Sequence, residues 1–68
     1  MHFNREEINL LSLYNTGSKD ETLMELREMQ SYLLEDETDL KHLSDKVISK
    51  IQSLSDHEYM ELLLTYDI

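Results

Sequence analysis

The chain has no proline and a single glycine, Gly17, so almost nothing in it forbids a helix and almost nothing breaks one. Its punctuation has to come from side chains that cap helix ends. Three places pair a small polar residue with a glutamate three positions on: Asn4 with Glu7, Ser18 with Glu21, and Ser55 with Glu58. In such a box the first side chain accepts from an orphaned backbone N–H, and the glutamate reaches back to the first residue's own N–H. An apolar residue before the cap can also pack on one in the first turn, as Phe3 on Ile8 and Leu54 on Tyr59. The boxes predict three helix starts.

Apolar periodicity fills the intervals. The first helix is expected over about Arg5 to Asn15, with Gly17 supplying the left-handed position that stops it. Ile8, Leu10, Leu11, Leu13 and Tyr14 cover more than half of its circumference, which predicts a central helix. The second is expected from about Lys19 to Leu34, with Leu23, Leu26, Met29 and Leu33 on one face. The third starts within Asp36 to Thr38 and runs to about Ser53, on the stripe Leu40, Leu43, Val47, Ile51 and Leu54. The fourth spans about Asp56 to Tyr66, with Tyr59, Leu62, Leu63 and Tyr66 on one face. No strand-like alternation, repeat or linker occurs. The expected fold is all-α, a single domain over 1–68: a compact antiparallel bundle of four short helices, or three if the second and third merge across Glu35-Asp36-Glu37-Thr38. Leu11, Leu26, Leu43, Val47, Ile51 and Leu62 are its expected core.

A chain of 68 residues can build only one small core, burying about 60% of its unfolded surface. Fifteen acids against six bases give a net charge of −9. Nucleic-acid binding draws most of its affinity from Lys and Arg on phosphates, so direct DNA or RNA binding is not expected. Anionic membranes are disfavoured for the same reason, and a basic protein is the natural electrostatic partner. Neither a signal peptide nor a run of the roughly 18 apolar residues that span a bilayer is present. With no cysteine, no disulfide or thiolate metal site can form, and the chain is expected to be cytoplasmic.

No constellation of residues defines a reaction. Glu35, Asp36, Glu37 and Asp39 crowd four carboxylates into five positions, but a calcium loop needs a glycine for its sharp turn and none is there. These acids read better as the first turn of the third helix, where the dipole favours them. Asp39 and His42 have the i, i+3 spacing of di-iron bundles, which need that pair twice plus further glutamates. His2, His42 and His57 are scattered, so no metal or other cofactor is expected. The serines sit at caps and on polar faces, and no catalytic residue is assigned. The chain is not expected to be an enzyme.

Two surface features stand out. On the second helix Glu21, Glu25, Glu28 and Glu35 line one face, with Tyr32 among them, opposite the core stripe. Like charges at i, i+4 destabilise a helix by a few tenths of a kcal/mol, so local stability does not explain the arrangement. On the fourth helix Met60 and Leu64 form an apolar i, i+4 pair about 120° from the inward stripe at 100° per residue. Either they cover the edge of the first helix or they form a contact patch for a partner or a second copy. Together these residues make the candidate partner surface.

The opening Met1-His2-Phe3-Asn4-Arg5-Glu6-Glu7-Ile8-Asn9-Leu10-Leu11 resembles the start of the transposon-transfer assisting protein family, small helical proteins encoded on bacterial conjugative transposons. The resemblance continues through Tyr14-Asn15-Thr16-Gly17, Met29-x-x-Tyr32-Leu33 and Glu35-Asp36-Glu37, and ends with Lys50-Ile51-x-x-Leu54-Ser55-Asp56-x-Glu58-Tyr59. These are caps, core and turns, so they identify a fold and carry no reactive residue. The resemblance implies an accessory protein of a mobile genetic element that assists transfer through protein–protein interaction. Its partner would be a basic protein of the transfer machinery, and the chain itself a monomer or weak homodimer. Two other readings compete: an acidic DNA mimic that inhibits a DNA-binding or restriction protein, and a small helix-turn-helix excision factor. The first should show acids along one long ridge, and here they are spread over several helices. The second needs a basic recognition helix, whereas Lys41, Lys46 and Lys50 share the third helix with Asp39 and Asp45.

Overall fold

Each of the three capping signals starts a helix. The computed structural model describes residues 2–68; Met1, the first residue of the opening motif, lies outside them. The order is α1 (Arg5–Tyr14), α2 (Lys19–Ser31), α3 (Thr38–Gln52) and α4 (Asp56–Tyr66), with no strand among the described residues. Asn4 and Ser55 close full capping boxes on Glu7 and Glu58. Ser18 makes only half of one: its hydroxyl accepts from the Glu21 N–H at 3.5 Å, and the Glu21 side chain does not reach back.

The helix ends depart from the sequence reading in two places. Gly17 has φ +89°, but it is not the residue that stops α1. Asn15 does so in an extended conformation, and its side-chain oxygen accepts the Gly17 N–H at 2.9 Å across the turn. The second helix ends at Ser31 rather than Leu34. Its last turn tightens into i, i+3 bonds, from Tyr32 N–H to Met29 O and from Leu33 N–H to Gln30 O. α2 and α3 are therefore separate, and the three-helix alternative does not occur. Glu37 is the N-cap of α3, with no side-chain cap bond. Only Asp39 of the four clustered acids lies in the first turn of α3; Glu35 and Asp36 belong to the connection.

α3 packs on both α1 and α2, and takes the central place expected of the first helix. Leu11, Leu26, Val47, Ile51 and Leu62 are buried as expected, joined by Phe3, Leu10, Leu23, Ile48, Leu54, Tyr59 and Leu63. Leu43 is a correction: it is only half-buried, and Ser44 beside it is fully buried. Leu13 is another. It is 78% exposed, because the wide apolar arc of α1 exceeds what two neighbouring helices cover, while Glu7 on the same helix is fully buried. The Cα radius of gyration is 11.5 Å, close to the roughly 11 Å expected of a compact chain of this length.

Candidate functional site

Three polar ties hold the helices in place and so fix what the surface presents. In the first, Glu7 Oε1 accepts from the Asn4 N–H at 2.8 Å and from Lys50 Nζ at 2.7 Å. Lys50 also donates to the His2 carbonyl at 3.0 Å and lies 5.3 Å from the centre of the Phe3 ring. The end of α3 is thereby locked to the start of α1. Burial pushes the Glu7 carboxyl up. The Asn4 N–H, the Lys50 ammonium and the more distant Lys46 charge outweigh that push and hold it below its ordinary value. Its second oxygen, Oε2, is buried and accepts no hydrogen bond among the described residues.

In the second tie, Tyr59 Oη of α4 lies 2.7 Å from Asn15 Oδ1 and 2.9 Å from Thr22 Oγ1. The amide oxygen can only accept, so it takes the single phenol proton and the threonine hydroxyl supplies the other bond. Burial raises the Tyr59 pKa, partly offset by Thr22. In the third, Gln30 Nε2 of α2 donates to Ser44 Oγ and Asp45 Oδ1 of α3, each at 2.7 Å. All three are spent on joining helices. Gln30 also borders a hollow with Leu34, Glu37 and Lys41, and among the described residues no three His, Asp or Glu side chains are placed to hold a metal ion.

The surface residues singled out in the sequence divide into two groups. Glu25, Glu28 and Tyr32 meet at a shallow concavity of about 360 Å³, completed by Tyr14, Met29 and Leu33. Tyr32 is 76% exposed at the C-cap of α2, and the half-buried Met29 and Leu33 form the apolar lining. Glu21 is exposed further back on α2 and does not line it. Glu35 is exposed too, but it lies beyond the end of α2 and not on that helix's face. Met60 and Leu64 of α4 are 51% and 80% exposed, so they do not complete the core beneath α1, and neither lines the concavity. Glu25 and Glu28 pair with no cation among the described residues, whose ion pair is Lys50–Glu7, with the exposed His57 Nε2 also 2.7 Å from Glu61 Oε1.

Three further contributors to the concavity belong to the apolar stripes and not to the acidic face: Tyr14 ends α1, Met29 lies in the last turn of α2 and Leu33 follows its end, all three half-buried. With α2 ending at Ser31 and not at Leu34, Leu34 stands 67% exposed in the connection. An apolar Tyr32-Leu33-Leu34 run at a helix end, followed at once by Glu35-Asp36-Glu37, was the available signal.

No helix among the described residues is long and apolar enough to cross a membrane. A family model described as "Putative transposon-transfer assisting protein" matches residues 3–65. No curated protein and no solved structure matches the chain.

Proposed function

The chain belongs to the transposon-transfer assisting protein family, and from that premise we propose that it assists the transfer of a bacterial conjugative transposon as a non-enzymatic accessory, by binding a basic protein of the transfer machinery. One observation supports this most: an exposed aromatic side chain and unpaired carboxylates share one concavity on α2, where Tyr32 lines the same hollow as Glu25 and Glu28 over the apolar Met29 and Leu33. A solvated helix face has no need of exposed large apolar groups. The carboxylates would steer a basic partner and raise its association rate, and the apolar groups would supply burial. Direct nucleic-acid binding has no support in a chain of net charge −9. Met60 and Leu64 offer a second apolar patch, suited to the same partner or to weak self-association.

The test is a mating assay with the gene deleted from an intact element. Transfer frequency should fall, and wild-type protein supplied in trans should restore it. A Glu25→Gln, Glu28→Gln, Tyr32→Ser triple variant should fold normally, since all three side chains are exposed, and fail to restore it. Full restoration by the variant would reject this surface, and unimpaired transfer after deletion would reject the role.

A further inference from the structure

We propose that the concavity between the ends of α1 and α2 is a receptor for an arginine side chain of the basic partner. This rests on the reading that the chain works through protein contact, and it names the chemical group recognised.

Four features of the concavity select that group. Glu25 and Glu28 provide two carboxylates about one helical turn apart, neither neutralised by a cation among the described residues. Tyr14 and Tyr32 provide two aromatic rings from different elements of the same rim. Met29 and Leu33 provide an apolar floor. The space, about 360 Å³, takes a long side chain rather than an ion. A guanidinium is planar, weakly hydrated, able to stack on phenol rings and able to engage carboxylates through paired N–H donors, and its methylene stem suits an apolar floor. A lysine ammonium meets the charge but not the stacking or the fork geometry. A divalent cation wants six or more oxygens and no apolar lining, so two carboxylates over Met29 and Leu33 do not suit one. A second copy of the chain brings its own −9 charge, which opposes approach.

The experiment is an NMR titration of the whole chain, labelled with ¹⁵N, using one synthetic amphipathic peptide in three forms. Its basic positions are all arginine, all lysine, or all citrulline, the last keeping the shape of arginine without its charge. The arginine peptide should saturably shift the amides of Tyr14, Glu25, Glu28 and Tyr32. The lysine peptide should bind at least about threefold more weakly, and the citrulline peptide should not saturate. Glu25→Gln with Glu28→Gln should weaken the arginine peptide about tenfold or more, the scale of one lost charge-assisted pair. Glu21→Gln with Glu35→Gln removes equal charge outside the concavity and should cost less than about twofold, because exposed distant charges are screened.

Equal losses in the two double variants would overturn the proposal in favour of a diffuse field, as would equal binding of citrulline. So would self-association abolished by Arg27→Gln, which would make a second copy the occupant. Failure here alongside a transfer-defective triple variant would remove the arginine and leave the partner-binding role standing. Arginine capture alongside unimpaired transfer after gene deletion would do the reverse.

Discussion

The two halves of α3 are built to different standards. Its first half begins at Glu37 with no side-chain cap, and its apolar residues Leu40 and Leu43 are only half-buried. Its second half carries Val47 and Ile51, both fully buried, and Lys50, which ties the helix to Glu7, His2 and Phe3 at the opposite end of the chain. The first half is held mainly by Gln30, reaching across from α2 to Ser44 and Asp45. A helix can thus be cooperative along its backbone and uneven in its anchoring. The looser half follows Tyr32, Leu33 and Leu34 across the short connection Glu35-Asp36-Glu37, and Tyr32 and Leu33 line the proposed receptor. Regions that bind tend to be drawn from the less stable part of a fold.

The largest expected effect separates the halves by burial. Ile51→Ala should cost about 2–5 kcal/mol, the range for removing a large buried aliphatic side chain. Leu43→Ala should cost about half as much, because part of its surface already meets water. Urea midpoints of the two variants measure the ratio, and equal losses would mean that both halves are packed alike.

Next in size is the tie at the far end of α3. Lys50→Met leaves the Glu7 carboxylate buried without its cation and should cost about 3 kcal/mol, the low end for a broken buried pair because Lys50 is 31% exposed. The effect should depend on pH in a definite direction. The folded pKa of Glu7 is lowered, so its contribution is present above the ordinary carboxylate range of about 4.3 and is lost as pH falls through the lower folded value. The stability gap between wild type and Lys50→Met should therefore narrow in acid. A gap that stays constant from neutral pH down to strong acid would remove the carboxylate from the explanation.

The smallest effect compares helix starts. Ser55→Ala removes the working cap of α4 and should cost about 1 kcal/mol. Glu37→Ala removes a residue that makes no side-chain cap bond and should cost no more than a few tenths of that. Thermal melts of both variants resolve the difference. A loss at Glu37 matching that at Ser55 would show that the start of α3 is anchored after all.

These contrasts also mark what could be read in the chain beforehand. Asn4, Ser18 and Ser55 announced α1, α2 and α4, because a cap is a local device: its donor and acceptor lie three residues apart and need nothing from the rest of the fold. The stripes through Leu26 and Ile51 were legible because burial of one helix face repeats at the helix period. The start of α3 was legible only to within Asp36 to Thr38, from the apolar stripe that follows it, because no side-chain cap marks the residue, Thr38, at which it begins. Of the candidate surface, the exposed Glu25, Glu28 and Tyr32 were visible as a face. The concavity they form was not, because Tyr14 comes from another helix.

The sequence alone therefore determined the helical class, the four helix starts (three by their caps, that of α3 to within Asp36 to Thr38), the acidic surface and most of the core. Tertiary structure decided the rest. It ended α2 at Ser31, where the chain must turn for Gln30 to meet Ser44 and Asp45. It buried Glu7, which reads as a surface residue until Lys50, 43 positions away, is brought beside it. It left Leu13 and Leu64 in water, since two or three neighbouring helices cover only part of a broad apolar arc. The physical reason is common to all of these: local hydrogen bonds and periodicity act within a few residues, whereas burial is settled only by which helices arrive on which face.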